Sequence, residues 1–144
     1  VLPARYFVLV QNASWPTKQW PITCWKDLVL HLDGYGVMFY ASGNKEELLR
    51  AKDIASVSEK ATALEILPLN EIAYIIDNAD YCICSDTGLA HLSAVVNTPS
   101  LTLYGPTDIN LIGTKGNNQS HIVGNNGDIN NISVEEVINK LPIL

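Results

Sequence analysis

Two short apolar runs, each ending in a polar turn, restrict the folds open to this chain. Residues 81–84 form the first run and residues 101–104 the second. The segment between them has apolar residues at a helical spacing, at Leu89, Leu92 and Val96. Short apolar runs bounded by turns are typical of buried strands, whereas positions i, i+3 and i+7 form one face of a helix. The order strand, turn, helix, strand is therefore predicted here.

The turn after the first run, Ser85-Asp86-Thr87-Gly88, places a helix N-terminus at the end of a strand. Asp86 or Thr87 is suited to cap the helix, and Gly88 lets a ligand or another backbone come close. The free N–H groups of such a terminus favour a phosphate. His91 follows Thr87 by four residues, so both side chains share a face of the predicted helix. A capped helix with an ordinary half-buried histidine is the alternative interpretation.

Strands and helices alternate along the rest of the chain as well. Further strands are predicted for residues 6–10, 37–40, 63–67 and 121–123, and further helices for residues 25–32, 45–54, 69–78 and 133–141. Such alternation predicts an α/β fold, a Rossmann-like parallel sheet with helices on both faces. A length of 144 residues with 47% apolar residues fits one domain of ordinary size, residues 1–144.

Local patterns add detail to these elements. Leu69, Ile72, Ala73 and Ile76 are predicted to form the core stripe of the helix at residues 69–78. Residues 124–131, rich in Asn and Gly, are expected to be a surface loop. Ser133 and Glu136 have the spacing of a capping box at the last helix.

The loop after the first predicted strand, residues 11–21, contains Lys18. In an open α/β sheet ligands bind at the carboxyl ends of the strands, so a lysine there is suited to neutralise a diphosphate. A solvated surface charge is the alternative. Trp15 and Trp20 flank the lysine and are more typical of loop anchors than of stacked bases.

The helix after the second predicted strand has Glu46 and Glu47 in its first turn. The helix dipole favours carboxylates there. An acidic residue after the second strand also accepts a ribose hydroxyl in dinucleotide-binding sheets. Both interpretations remain open at this stage.

Charge and cysteine content exclude several kinds of partner and site. The net charge of −6 argues against nucleic acid and anionic membranes, which favour a basic face. No apolar run approaches the length that spans a bilayer, so a soluble, cytoplasmic piece of a longer protein is expected. Cys24, Cys82 and Cys84 lack metal-site spacing, and Cys82 and Cys84 are expected to behave as small buried hydrophobes. No metal site is predicted.

The string SDTGLAHLSAVVNTPSLTLYGPTDINLIGTKGNNQ, with KQWP upstream, resembles a known family over residues 6–141. It is similar to the donor-binding half of bacterial lipopolysaccharide heptosyltransferases, nearest to the heptosyltransferase I group. The resemblance implies the C-terminal domain of a GT-B glycosyltransferase. It also implies ADP-L-glycero-D-manno-heptose as donor, with inverting transfer of heptose to a Kdo residue of the lipopolysaccharide inner core.

The resemblance assigns a role to the lysine loop. KQWP matches the KxWP motif of the family, whose lysine contacts the donor phosphate and helps the nucleotide leave, which makes Lys18 the catalytic candidate. The family has a Thr pair and a longer charged turn before this lysine. Here residues 14–17 stand in its place, and Ser14 is the expected hydroxyl replacement.

Five further substrate-binding residues are expected, of which Glu47 is assigned by the resemblance and the others by the helix start after the strand at residues 81–84. Glu47 falls on the ribose-binding glutamate of the family, with Glu46 as its competitor. Thr87, Gly88 and His91 are expected to hold the leaving diphosphate with Lys18. Asp86 is expected near the sugar or as the cap of the turn.

The resemblance also says what this chain lacks. In the family the general base is an aspartate of the N-terminal acceptor-binding domain, so this chain alone is expected to bind donor weakly without turnover. No cofactor besides the nucleotide-sugar substrate is implied. The partners implied are that missing domain and a lipopolysaccharide precursor at the inner-membrane face. Another GT-B sugar-nucleotide enzyme and a non-catalytic nucleotide-binding or protein-interaction domain are the rival interpretations.

Overall fold

The strands pair side by side in a parallel sheet. The structure is a computed structural model and describes residues 6–11, 19–33, 37–40, 45–85, 98–104, 119–124 and 128–141. The strands of these residues are β1 (Tyr6–Val10), β2 (Val37–Tyr40), β3 (Ala61–Ala63), β4 (Tyr81–Ser85), β5 (Ser100–Tyr104) and β6 (Gln119–Val123). They form one sheet in the order β3-β2-β1-β4-β5-β6, and every pairing is parallel. The bounds predicted for β1 and β2 are confirmed.

Helices cover both faces of this sheet. They are α1 (Ile22–Leu32), α2 (Lys45–Ala55), α3 (Leu69–Asp77) and α4 (Val134–Lys140). Phe7 and Leu9 of β1 point to the face that α1, α2 and α4 cover. Val8 and Val10 point to the opposite face, where α3 packs. The predicted Rossmann-like α/β fold with helices on both faces is confirmed.

All five residues of β1 are buried because the strand lies inside the sheet with helices above and below it. Strands of this kind have no solvent face, which explains a continuous apolar run in place of an alternating one. Cys82 and Cys84 of β4 are buried in the layer under α3, as expected for small hydrophobes. Two apolar layers therefore stabilise the fold, one on each face of β1 and β4.

Helix α1 begins three residues before the predicted start at residue 25. The carbonyl of Pro21 accepts hydrogen bonds from the N–H groups of Cys24 and Trp25, at 3.0 and 3.2 Å. A proline ahead of the first turn has a backbone angle suited to a helix start and needs no N–H partner there. The helix therefore already includes residues 22–24, ahead of the predicted start.

The strand predicted for residues 63–67 is wrong in its position, since β3 covers only Ala61–Ala63. Its backbone pairs with β2 from Met38 opposite Ala61 to Tyr40 opposite Ala63. Within the described residues this pairing ends at Ala63, and residues 64–67 of the predicted strand belong to no strand.

Only part of the predicted stripe of α3 faces the core. Ile72 and Ile76 are buried against the sheet, and Ala73 is half-buried. Leu69 was predicted in the stripe and is 67% exposed. It is the first residue of α3, and its side chain faces solvent.

The residues before α4 differ in part from the expected surface loop. A short 3₁₀ helix covers Ile129–Asn131, and Ile129 is buried in the core with α1 and α4. The capping box at α4 is confirmed. The Ser133 hydroxyl accepts from the Glu136 N–H, and the Ser133 N–H donates to the Glu136 carboxylate, both at 3.1 Å.

Candidate functional site

The order of the strands defines where a ligand binds in a sheet of this class. The chain forms β1, β2 and β3 outward in one direction and then returns to place β4 on the other side of β1. In open α/β sheets the crevice outside the carboxyl ends of two such strands is the ligand site. Val10 and Cys84 are in register on β1 and β4. Gln11 and Ser85, the next residue of each chain segment, therefore mark this crevice.

Both of these residues are polar and fully buried. Gln11 is 1% exposed and Ser85 0% exposed, although the strands that lead to them are apolar. The hydroxyl oxygen of Ser85 has no hydrogen-bond partner within the described part of the chain. Buried polar groups cost free energy unless they are hydrogen-bonded, so such residues are rare at strand ends without a structural or functional reason. Sequence reasoning had placed Ser85 in the turn, whereas it is the last residue of β4.

Glu47 is the predicted site residue that the structure describes. It lies in the first turn of α2, which follows β2 and so begins at the carboxyl edge of the sheet. The Gln11 side-chain amide nitrogen donates to the Glu47 carbonyl at 3.3 Å. Glu47 is half-buried, whereas Glu46 beside it is exposed. This contact brings the first turn of α2 to the end of β1 beside the crevice.

The other predicted site residues lie outside the described residues. They are Ser14, Lys18, Asp86, Thr87, Gly88 and His91. Their roles stay predictions. These residues belong to two segments of the chain. For each segment the structure gives the position of residues at which it starts or ends.

The segment with Lys18 starts at Gln11 and ends beside a buried tryptophan. Trp20 is 1% exposed, and its indole N–H donates to the Ile132 carbonyl at 2.9 Å. Its ring meets that of Trp25 edge to face, with centroids 5.1 Å apart. Trp20 is thus held in the core, whereas Trp15 lies outside the described residues, and the role of both as loop anchors stays a prediction. Lys18 is therefore two residues from a fixed point in the core.

Two buried titratable groups of β4, Cys82 and Tyr81, have raised pKa values and are neutral at pH 7. A hydrogen bond with Cys84 and burial hold the pKa of the Cys82 thiol well above its ordinary value. Burial raises the pKa of Tyr81 to about 12, although a hydrogen bond with Ser120 opposes this. A thiol acts as a nucleophile only as thiolate, so Cys82 is unsuited to nucleophilic catalysis.

Two features are absent from the described residues, a metal-binding cluster and a membrane-spanning helix. Among them no three His, Cys, Asp or Glu side chains come together as a possible metal site. None of the helices in the described part of the chain has the length and apolar content that crossing a membrane requires.

Residues 2–141 match the model of glycosyltransferase family 9 (heptosyltransferase), which is nearly the whole chain. The chain belongs to this family. The expectation from the SDTGLAHL and KQWP motifs is confirmed at the level of the heptosyltransferases.

Known relatives agree with the family 9 assignment. Lipopolysaccharide heptosyltransferase 1 of Pseudomonas aeruginosa is 35% identical over 121 residues, which are 83% of this chain and 34% of the relative. The structure of the E. coli heptosyltransferase WaaC with ADP superposes with a TM-score of 0.91 at 29% identity, covering 94% of this chain and 43% of WaaC. WaaC with ADP-2-deoxy-2-fluoro heptose gives a TM-score of 0.87 at 27% identity, covering 94% of this chain and 42% of that one. This family 9 chain spans less than half the length of these relatives.

One residue of the crevice was missed by sequence reasoning. Gln11 had been counted only as the first residue of a polar loop. The available signal was its place directly after an apolar strand, at the edge where α/β sheets bind ligands. Its contact with Glu47 joins residues 36 positions apart. A contact over such a distance leaves no local pattern in the sequence.

Proposed function

We propose that this chain is the donor-binding domain of a heptosyltransferase. The donor is ADP-L-glycero-D-manno-heptose, and the acceptor is a Kdo residue of the lipopolysaccharide inner core. The observation that carries the proposal is the superposition on WaaC with ADP, at a TM-score of 0.91 over 94% of this chain. The structure of WaaC with a fluorinated ADP-heptose supports the choice of sugar.

The chemistry requires stabilisation of the charge that develops on the departing diphosphate. In the proposed site Lys18 contributes a cation from the loop after β1. The free N–H groups at Thr87 and Gly88, together with His91, contribute donors from the segment after β4. These two segments leave neighbouring parallel strands at the same edge, which supports a shared ligand.

The ribose is assigned to Glu47, which accepts a hydroxyl through its carboxylate. Support comes from its half-buried position and from the contact of its carbonyl with Gln11 at the end of β1. Glu46 is exposed on the same turn and is the weaker candidate. Ser14 is assigned to the phosphate as a hydroxyl donor, and Asp86 to the sugar or to the cap of the turn.

The remaining step, activation of the acceptor hydroxyl, needs a general base. We assign that base to an acceptor-binding domain elsewhere in a longer protein, because this chain spans 43% of WaaC and its motifs resemble the donor-binding half of the family. The chain alone then binds donor weakly and does not turn over. We assign no cofactor and no metal to the reaction. The longer enzyme acts in the cytoplasm on a lipopolysaccharide precursor at the inner-membrane face.

Calorimetric titration with ADP, UDP and ADP-heptose tests the proposal. ADP ligands are expected to bind best, and Lys18→Ala and His91→Ala are each expected to weaken them by roughly 1 to 3 kcal/mol, the range for lost hydrogen bonds to charged groups. Lys52→Ala and His31→Ala are matched controls, since both residues are exposed in the last turns of α2 and α1, at the opposite edge of the sheet.

Each contrary outcome points to a different alternative. A preference for UDP would keep the fold and favour another sugar-nucleotide enzyme of the same architecture. Absence of nucleotide binding by both this chain and the longer protein would favour a non-catalytic domain. Heptose transfer by this chain alone would contradict the assignment of the base to another domain.

A further inference from the structure

Gln11 has a buried amide side chain at a position where an apolar side chain would cost less free energy to bury. It follows five buried apolar residues of β1 and is itself 1% exposed. Taking an amide out of water costs free energy unless its polar atoms are hydrogen-bonded. The bond of its amide nitrogen to the chain offsets part of this cost. With 1% of its surface exposed, it has almost no area with which to touch a ligand itself.

The side-chain amide nitrogen of Gln11 binds the backbone of α2. It donates to the carbonyl of Glu47 at 3.3 Å. That carbonyl belongs to the first turn of α2, where it also accepts within the helix from the N–H four residues on. The contact thus ties the start of a helix to the end of a strand 36 residues away.

This hydrogen bond lies at the carboxyl edge of the sheet, where β1 and α2 meet. β1 borders the crevice, and α2 begins after β2, the neighbour of β1 on the other side. The contact holds the backbone of Glu47 in place. The position of its carboxylate then depends only on the rotations of the Glu47 side chain. Glu46 carries the same charge one residue earlier and is exposed.

We infer that Gln11 is a positioning residue, which holds the first turn of α2 so that the Glu47 carboxylate meets the ribose hydroxyls of the bound nucleotide. This inference rests on the proposed function, because it needs a nucleotide in the crevice. It assigns Gln11 no contact with substrate. Its effect passes through Glu47 and is confined to ligands that carry ribose hydroxyls.

Binding of ADP and of 2′,3′-dideoxy-ADP to wild type and to Gln11→Met tests this. Methionine keeps the length of the side chain and has no donor. The variant is expected to weaken ADP binding about three- to tenfold, while 2′,3′-dideoxy-ADP binding stays within about twofold of wild type. A general loss of packing would weaken both ligands alike. Gln11→Asn, whose amide is one methylene too short for the Glu47 carbonyl, replaces it if circular dichroism shows Gln11→Met unfolded.

Thr98→Val is the matched control. The Thr98 hydroxyl donates to the Ile76 carbonyl at 2.7 Å, another buried bond from the sheet to a helix, next to the start of β5 and so at the opposite edge. Its loss is expected to lower stability and leave ADP affinity within about twofold.

Three outcomes overturn the inference, and they differ in what else they affect. Wild type that fails to bind ADP would overturn the proposed function and this inference with it. If wild type binds ADP and Gln11→Met weakens both nucleotides equally or neither, Gln11 does not act through Glu47 and the proposed function stands. An equal loss of ADP affinity in Thr98→Val would likewise assign the effect to stability alone.

Discussion

The indole N–H of Trp20 donates to the carbonyl of Ile132 at 2.9 Å, across 112 residues of sequence. Both residues are buried, at 1% and 2% exposure. The bond joins the end of the Lys18 loop to the segment that leads into α4. The C-terminal part of the described chain therefore holds Trp20, which follows the Lys18 segment, in the core.

Trp20→Phe is expected to lower the free energy of unfolding by roughly 1 to 3 kcal/mol, because it leaves the buried Ile132 carbonyl without this donor. Urea unfolding measures the change. Trp25→Phe is the control, since it removes the same part of an indole from the same core and leaves the bond to Ile132 in place. Equal losses in the two variants would show that ring area, and not the hydrogen bond, holds the loop end.

The capping box at α4 gives a second prediction. Ser133→Ala is expected to cost about 1 kcal/mol of stability, because the Glu136 N–H loses its acceptor at the start of the helix. Glu135→Ala, an exposed carboxylate in the same turn, is expected to cost only about 0.3 to 0.5 kcal/mol through the helix dipole. Chemical unfolding of the three proteins distinguishes the effects. A loss in Glu135→Ala as large as in Ser133→Ala would contradict a role for the cap.

How far the fold could be predicted is clear from β1 and β3. β1 is a buried strand inside the sheet, so its apolar run and its bounds coincide. β3 lies at the edge of the sheet and pairs with β2 only as far as Ala63, opposite Tyr40. The apolar run of the sequence continues beyond Ala63, although Ile66 is 44% exposed, so apolar character there indicates neither burial nor strand pairing.

The site divides in the same way. The nature of Glu47 as a first-turn carboxylate was evident from the sequence, because helix starts have local signals. The contact of its carbonyl with Gln11 was not evident, because it joins two elements 36 residues apart. The bond between Trp20 and Ile132 was hidden for the same reason. Local patterns predict elements, whereas contacts between distant elements depend on the assembled sheet.

The raised pKa values of two buried tyrosines lead us to expect a loss of stability at high pH. Burial is the main cause that raises the pKa of Tyr6 and of Tyr81 to about 12. In the unfolded chain a tyrosine has a pKa of about 10, so between about pH 10 and pH 12 the unfolded state releases protons that the folded state keeps. The free energy of unfolding is therefore complete below this window and falls through it, by roughly 2 kcal/mol for each tyrosine.

Unfolding in urea at several alkaline pH values measures this slope. Tyr81→Phe is expected to flatten it, because one of the two shifted groups is removed. Tyr74→Phe is expected to change the slope less, since Tyr74 is 63% exposed and contributes to the raised pKa of Tyr6 only after burial and Cys82. A wild-type stability that stays constant through the window would contradict the prediction.

The two neighbouring glutamates of α2 allow a direct test of the ribose assignment. Glu47→Ala removes the carboxylate and keeps the carbonyl that accepts from Gln11, so the helix start stays tied to β1. Loss of a hydrogen bond to a charged group is expected to weaken ADP binding by roughly 1.5 to 3 kcal/mol. Glu46→Ala removes the same charge from the same turn but from an exposed position, and ADP affinity is expected to stay within about twofold. Because both variants change the net charge equally, a difference between them in calorimetry reports the contact itself. A larger loss in Glu46→Ala would transfer the ribose contact to Glu46 and remove the reason for Gln11 to hold Glu47.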